Sequence, residues 1–465
     1  MTLLEEFIYS LSKSGRSKIR SLQFRGVKRK IFSKVINGRT RNALNSEAII
    51  ARYRLPKKRY YHILSELLDA CYHDIVPRGG TALLLYLGNK QLFRHFFNEM
   101  KKQEAVLIES NNRHALELYY FRVLLERNLL LLHPKFNEEI VAEFDAYAKR
   151  YMGVQESHHP DDGCYLQVLK ISRHIGEPLQ GFSIRKMAPL IEELEDIFEQ
   201  VKKGEHILAK YAVSNTLMMV LSRFHFADKS PAPYAAFGLQ LIKDYPAVFA
   251  PIKDFYELEC LQFISADEKN TIALFKHYLM TSSKHLGPSL YYIGSFVPKI
   301  LRSGDYAWVL QYMAKYFPYN IDLLRDDVAI HYRYIEMITY VYAGRYSDAE
   351  FSFHKAFAAN TGRNRNVNSD LLLRCYDVFF VAMRGDPLAL EKAVDRQIRY
   401  AQRHGYERGE TYQIVFLKAV GNLVKTIGFD TQKAAKTKEK FFSTSGAEHL
   451  GFLFQRLYEK YFPSR

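Results

Sequence analysis

The chain has 465 residues, of which 48% are hydrophobic and 14% aromatic, and it carries a formal net charge of +16 at pH 7. This composition excludes wholesale disorder, and the longest uncharged runs are shorter than the ~20 apolar residues of a membrane helix. The four cysteines form no C-x-x-C pair, so neither a disulfide framework nor a zinc site is indicated. Glu5 and Glu6 stand where a signal peptide carries positive charge. We therefore expect a soluble, cytoplasmic protein without a cofactor.

Most of the net positive charge lies in the first 60 residues. Residues 1–60 contain 16 Lys and Arg and 3 Asp and Glu, a net charge of +13, whereas residues 61–465 contain 50 and 47, a net charge of +3. The net positive charge is therefore a local feature of the N-terminal residues and not a general property of the chain. The aromatic residues interleaved with it are Phe24, Phe32, Tyr53, Tyr60 and Tyr61. We expect most of them, including Phe32, Tyr60 and Tyr61, to lie in the core, because they fall near apolar neighbours at helical spacing.

In chain order, the first 76 residues read as a small basic helical module. TLLEEFIYSL predicts an amphipathic helix, and the apolar positions on its one side are Leu3, Leu4, Phe7, Ile8 and Leu11. After a basic stretch up to residue 36, Ser46 begins a short helix that reaches about Tyr53, and residues 57–73 form a longer one. Residues 77–81, PRGGT, join this module to the rest of the chain.

Residues 45–73 have the element order of a helix-turn-helix. The second helix has Tyr60, Ile63 and Leu67 on its inner face, and its exposed start would meet phosphates or bases. The match is incomplete, because Arg54 stands where that motif usually has a turn glycine and the spacing from Ala51 to Leu55 is one residue short.

A wider hypothesis does not depend on that motif. Clustered Lys and Arg favour binding to a phosphate backbone, because each neutralised phosphate releases counterions. The interleaved aromatic side chains could stack with exposed bases. The predicted anion contacts are Arg52, Arg54, Lys57, Lys58 and Arg59, with Lys28, Arg29 and Lys30 beside them. Nucleic acid is the favoured partner; an acidic protein, an anionic membrane surface and a solvated face with no partner remain open.

From about residue 80 the chain is a succession of helix-period apolar stripes, which predicts an all-α fold. Its polar breaks lie near residues 265, 304, 344, 385 and 428, so the repeating unit is a helix hairpin of roughly 40 residues. A repeat of this kind is typical of a solenoid. We expect divergent hairpins over 77–204, a solenoid over 205–445 and a capping helix over 446–465.

One unit resembles a tetratricopeptide (TPR) repeat. In IHYRYIEMITYVYAGRYSDAEFSFHKAFAAN, the spacing of the TPR hairpin is kept by Tyr340, Gly344, Tyr346, Ala349, Phe353 and Ala356. Gly344 allows the tight turn, and Ala349 lets the helices approach while Phe353 fills the groove to the next unit. The resemblance implies a TPR-like, right-handed superhelix of about seven to nine hairpins that holds a protein or peptide partner. The opening LLEEFIYSLSKSGRSKIRSL also resembles the start of a family of bacterial helical-repeat proteins of unknown activity.

Two further features have competing interpretations. VQESHHPDDGC (154–164) offers six possible metal ligands, but it lacks helical ligand spacing and is better explained as a capped loop. The abundant tyrosines, such as those at 119–120 and 291–292, either pack the hairpins or line a peptide groove; packing is favoured.

No enzyme motif is present. The sequence therefore predicts a non-enzymatic scaffold, with a helix-turn-helix regulator and a pure protein adaptor as alternatives.

Overall fold

The computed structural model describes most of the chain as helices. The described residues are 1–38, 43–75, 83–84, 86–87, 92–112, 115–116, 119–120, 123–124, 138–154, 163–165, 167–168, 170–171, 184–223, 229–249, 253–264, 268–286, 290–324, 326–360, 367–404, 412–427, 430–444 and 450–463. Among them there is no β-strand, which confirms the all-α prediction. None of the helices within these ranges combines the length and apolar character needed to cross a membrane. The predicted joint at 77–81 lies outside the described residues.

The helices are numbered along the chain. In the first half they are α1 Leu3–Ser10, α2 Lys13–Arg20, α3 Gly26–Ile36, α4 Ser46–Tyr53, α5 Lys57–Ile75, α6 Phe93–Glu109, α7 Glu138–Val154, α8 Ile184–Val201, α9 Ile207–Arg223 and α10 Ala232–Asp244. In the second half they are α11 Pro246–Phe249, α12 Lys253–Ile264, α13 Glu268–Leu286, α14 Leu290–Arg302, α15 Tyr306–Tyr316, the 3₁₀ turn η1 Ile321–Leu323, α16 Asp326–Tyr342, α17 Tyr346–Ala359, α18 Val367–Arg384, α19 Pro387–Arg403, α20 Tyr412–Val424, α21 Thr431–Phe442 and α22 Gly451–Tyr461.

Two compact units are present, and each draws on separate parts of the sequence. The first consists of Met1–Val123, Glu139–Gln155 and Ser265–Ala359, and the second of Leu124–Glu138, Glu156–Ile264 and Asn360–Arg465. The basic N-terminal helices therefore share their unit with α14 to α17. The four segments proposed from the sequence stay a prediction.

The first helix, α1, is buried on every side. The apolar positions Leu4, Phe7 and Ile8 are buried as the sequence indicates, but Glu5 and Tyr9 are also about as inaccessible. Thr2 begins α1 with a capping box, in which it exchanges hydrogen bonds with Glu5. The other carboxylate oxygen of Glu5 accepts a hydrogen bond from the backbone N–H of Leu44, 2.8 Å away. The expectation of a one-sided amphipathic helix was thus incomplete, since satisfied polar groups allow the second side to be buried.

Helix α5 is anchored on α1 by aromatic and polar contacts. The rings of Phe7 and Tyr72 meet edge to face with centroids 4.8 Å apart. The Tyr72 hydroxyl is hydrogen-bonded to Nδ1 of His95, whose Nε2 lies 3.5 Å from a carboxylate oxygen of Glu6. A buried chain of three polar side chains therefore links α1, α5 and α6 and fixes the orientation of α5.

The N-terminal helices also contact a segment that is distant in sequence. The backbone N–H of Tyr319 donates to the carbonyl of Leu11 at 3.0 Å, and Ser12 forms an isolated bridge with Pro318. The buried guanidinium of Arg16 donates to the carbonyl of Ile36 and lies 5.1 Å from the centre of the Tyr319 ring. Burial lowers the pKa of Arg16. These contacts hold α2 against α3 and against the 318–319 segment of the same unit.

The turns of the later hairpins share one backbone conformation. Gly304, Gly344 and Gly385 have φ of 88°, 71° and 91°, in the left-handed region that a side chain disfavours. At Gly344, its own N–H donates to Val341 and the next N–H donates to Tyr340, which is the Schellman pattern. The polar breaks predicted near 304, 344 and 385 are therefore helix ends of one geometry.

The α16–α17 hairpin is packed by the residues that carry the TPR resemblance. Ala349 and Ala356 are fully buried, and Phe353 is nearly so. The half-buried Tyr340 has the guanidinium of Arg345 over its ring at 4.7 Å, and Tyr346 is the first residue of α17. Small buried residues on the second helix allow close helix packing.

Candidate functional site

The cations predicted around the α4–α5 turn are exposed. Arg52 is the penultimate residue of α4 and Arg54 lies in the turn, while Lys57, Lys58 and Arg59 begin the first turn of α5. Within the described part of the chain, none of these five cations enters an ion pair. The positive end of the α5 dipole adds to their potential. We call these five residues the basic turn.

The basic turn owes its shape to Arg54. Its φ of 50° and ψ of 43° are left-handed, which is uncommon for a residue with a side chain. Its N–H donates to Ala51 and the N–H of Leu55 donates to Ile50, so the end of α4 is a Schellman turn with arginine at the glycine position. Asn45 caps the other end of α4 by accepting from the backbone N–H of Ala48 at 3.0 Å.

Tyr53 brings cations of α3 and α4 together. The Lys30 ammonium lies 5.6 Å and the Arg52 guanidinium 5.8 Å from the centre of its ring. Both distances fall within the range of a cation–π contact. Arg29 is exposed beside Lys30 on α3. Lys30 of α3 and Arg52 of α4, which the sequence analysis placed beside each other, therefore meet at the ring of one tyrosine.

Lys28 differs from the other predicted contacts because it is already in an ion pair. Its ammonium lies 3.0 Å from a carboxylate oxygen of Glu66 on α5. His62 is 3.8 Å from the same oxygen. The hydrogen bond from Lys28 lowers the pKa of Glu66. One carboxylate thus lies among the cations of this surface.

The buried side of α5 follows the sequence pattern. Tyr60, Ile63 and Leu67 are nearly or fully inaccessible, and α5 packs on α1, α2 and α3. Phe32 is buried as expected. The same expectation was wrong for Tyr61, which is 49% exposed. Adjacent residues on a helix point in different directions, so only one of the two tyrosines can face the core.

A second row of cations, which the sequence analysis missed, lies on α21. Lys433, Lys436 and Lys440 are exposed, while Ala434 and Phe441 of the same helix are buried. Intervals of three and four residues put the lysines on one helix face. The spacing is visible in the sequence, but it was overlooked because the net charge of residues 61–465 is close to neutral.

No metal centre emerges from the part of the chain that the structure describes. In those residues there is no group of three or more His, Cys, Asp and Glu placed to hold a metal ion. Residues 155–162 of the predicted capped loop lie outside them. Burial raises the pKa of the Cys71 thiol to about 12, and it also raises those of Cys260 and Cys375. These three thiols are therefore poor nucleophiles at neutral pH.

Several tyrosines of the predicted clusters are core residues. Tyr119, Tyr120, Tyr292 and Tyr332 are buried, and burial raises the pKa of Tyr332 well above its usual value. The hydroxyl of Tyr120 donates to Glu104 at 2.6 Å, and the hydroxyl of Tyr119 donates to the carbonyl of Met100. These contacts favour hairpin packing over groove lining for the four residues.

Comparison with known proteins gave no relative: no protein-family model, no curated protein and no solved structure matches the chain. Function is therefore argued from the geometry of the chain itself.

Proposed function

We propose that the protein is a non-enzymatic binding or scaffold protein whose basic N-terminal helices contact nucleic-acid phosphates. The observation that carries the proposal is the basic turn, in which five cations are exposed and none of them enters an ion pair among the described residues. Lys30 and Arg29 of α3 extend it. Cations in this arrangement neutralise phosphates without reading bases.

The helical hairpins form the second part of the proposal. We infer a TPR-like, right-handed solenoid that holds a protein or peptide partner. The recurring left-handed turn at Gly304, Gly344 and Gly385 and the buried Ala349 and Phe353 support this arrangement. Repeats of one hairpin geometry stack on their neighbours and present extended binding surfaces.

A second candidate function is a DNA-binding regulator with the hairpins as a sensing arm. It is favoured by the order of α4, a three-residue turn and α5, with the buried side of α5 on α1 and the cations at its start. Protection of discrete DNA sequences would support the regulator, whereas sequence-independent binding supports the scaffold.

The test is binding of labelled single- and double-stranded oligonucleotides across a salt series. The variant changes Lys57, Lys58 and Arg59 to Glu. Affinity should fall with salt, and the log–log slope of the variant should be smaller by roughly two to three units, because each lost phosphate contact removes about 0.7 to 0.9.

The matched control changes Lys433, Lys436 and Lys440 to Glu. It alters the net charge by the same amount but leaves the basic turn intact, so its slope should stay near that of the wild type. Equal losses in both variants would mean that total charge, and not the basic turn, governs binding. No wild-type affinity at ~100 mM salt would overturn the nucleic-acid proposal and leave a protein adaptor, since a multi-phosphate site still binds there.

A further inference from the structure

Tyr53 of α4 and Tyr61 of α5, the tyrosines next to the basic turn, have different environments. The ring of Tyr53 already has Lys30 and Arg52 over it. Tyr61 is 49% exposed, and its neighbouring ring, Tyr60, meets it at an interplanar angle of 63° with centroids 5.4 Å apart. Tyr61 therefore presents aromatic surface to a ligand, whereas Tyr53 serves to gather cations.

Tyr61 also lies beside the cations of the basic turn. It follows Lys57 by four residues and Lys58 by three on the continuous helix α5. Residues at these intervals are neighbours on a helix surface. An exposed ring and two ammonium groups thus share one face, so a base on the ring and the phosphates next to it can be contacted together.

We propose that the ligand of this surface is an unpaired nucleic-acid strand, with a base stacked on Tyr61 and adjacent phosphates on Lys57 and Lys58. This inference rests on the proposed function and names its substrate class. Stacking on an aromatic side chain tolerates any base, because every base has a π-face. A duplex keeps its bases stacked on one another, and extrusion of a base carries an unstacking penalty. The surface therefore favours single strands over duplexes.

The test compares the full-length wild type with Tyr61→Ala and Tyr61→Phe on one labelled sequence, prepared as a single strand and as a duplex. Tyr61→Ala should weaken single-strand binding about 5- to 100-fold, the range of one lost base–aromatic contact, and leave duplex binding within about twofold. Tyr61→Phe keeps the ring and should bind like the wild type. The salt slope should not change, because stacking releases no counterions.

Far-UV circular dichroism and the urea midpoint of each variant check that α5 remains folded. Unchanged single-strand affinity in Tyr61→Ala overturns the inference, as does an equal loss on single strand and duplex. In either case the phosphate-binding proposal stands if the Lys57, Lys58 and Arg59 variant still loses its salt slope. A wild type that binds neither probe overturns both.

Discussion

The helix pair α4–α5 and the hairpin α16–α17 use the same turn with different residues. In both, the first helix ends in the Schellman hydrogen-bond pattern around a left-handed residue. That residue is Gly344 in the hairpin and Arg54 in the basic pair. A residue with a Cβ atom is disfavoured in this conformation by roughly 1–2 kcal/mol, and glycine is not.

The difference suggests that the two turns serve different purposes. At Gly344 the backbone requirement is met by the residue best suited to it, and the side chains around it pack a hairpin. At Arg54 a less suitable residue places an exposed charge between Arg52 and Lys57. Strained backbone is found disproportionately at functional sites, so the outlier supports a binding role for this turn.

The largest effect on stability is expected for Gly344→Ala. The added Cβ meets no atom within 4 Å, so the penalty is conformational. We expect a loss of about 1 kcal/mol in the free energy of unfolding. The left-handed conformation penalises alanine, and the lower conformational entropy of alanine in the unfolded chain offsets part of this penalty. Urea unfolding followed by circular dichroism measures it.

Gly294→Ala is the matched control. Gly294 is exposed within α14, its added Cβ also meets nothing within 4 Å, and its φ is not left-handed. Alanine there should stabilise by roughly 0.5–1 kcal/mol through helix propensity. Effects of the same sign in both variants would show that the turn conformation is not what distinguishes Gly344.

A change of opposite sign is expected for Arg54→Gly. Glycine relieves the left-handed strain, so the protein should gain up to about 1 kcal/mol in stability while it loses one phosphate contact. Arg54→Ala removes the same charge but keeps a Cβ, and it should leave stability near the wild type. Both should lower the salt slope of binding by roughly 0.7–0.9. If Arg54→Gly and Arg54→Ala had equal stability, the backbone at Arg54 would not be strained.

The smallest effect is expected for Glu66→Gln, which removes the carboxylate that pairs with Lys28. Affinity for single-stranded oligonucleotides should rise roughly two- to fivefold, the size of an exposed ion pair, because Lys28 is released. Glu143→Gln is the control: it breaks the Lys101–Glu143 ion pair between α6 and α7, in which the two charged atoms are 3.0 Å apart, and it should not change affinity. A rise in both variants would reflect net charge alone.

The pH dependence of this pair has a defined sign. Lys28 lowers the pKa of Glu66 below its ordinary value of 4.5. The ion pair therefore contributes stability above that value, and the contribution is lost as pH falls through the lower pKa of the folded state. Over the same fall, the affinity of the wild type should approach that of Glu66→Gln. Binding titrations between pH 6 and the onset of unfolding test this.

Much of the fold was predictable because local patterns specify helices. The predicted helices at 46–53 and 57–73 agree closely with α4 and α5, and the buried face of α5 is visible in the sequence. The exposure of Lys57, Lys58 and Arg59 was also foreseen. The exposure of Tyr61 was not foreseen. When two adjacent tyrosines both have apolar neighbours, helical periodicity alone does not say which of them faces the core.

The sequence by itself determined the helices, the recurring turns and the excess of cations in the first 60 residues, since these depend on neighbours three or four positions apart. Only the tertiary structure decided that Glu66 pairs with Lys28, that Tyr53 gathers Lys30 and Arg52, and that α1 is buried on all sides beside α5. Each of these joins residues from different helices. Such contacts depend on how helices pack in three dimensions, which residue spacing along one helix does not encode.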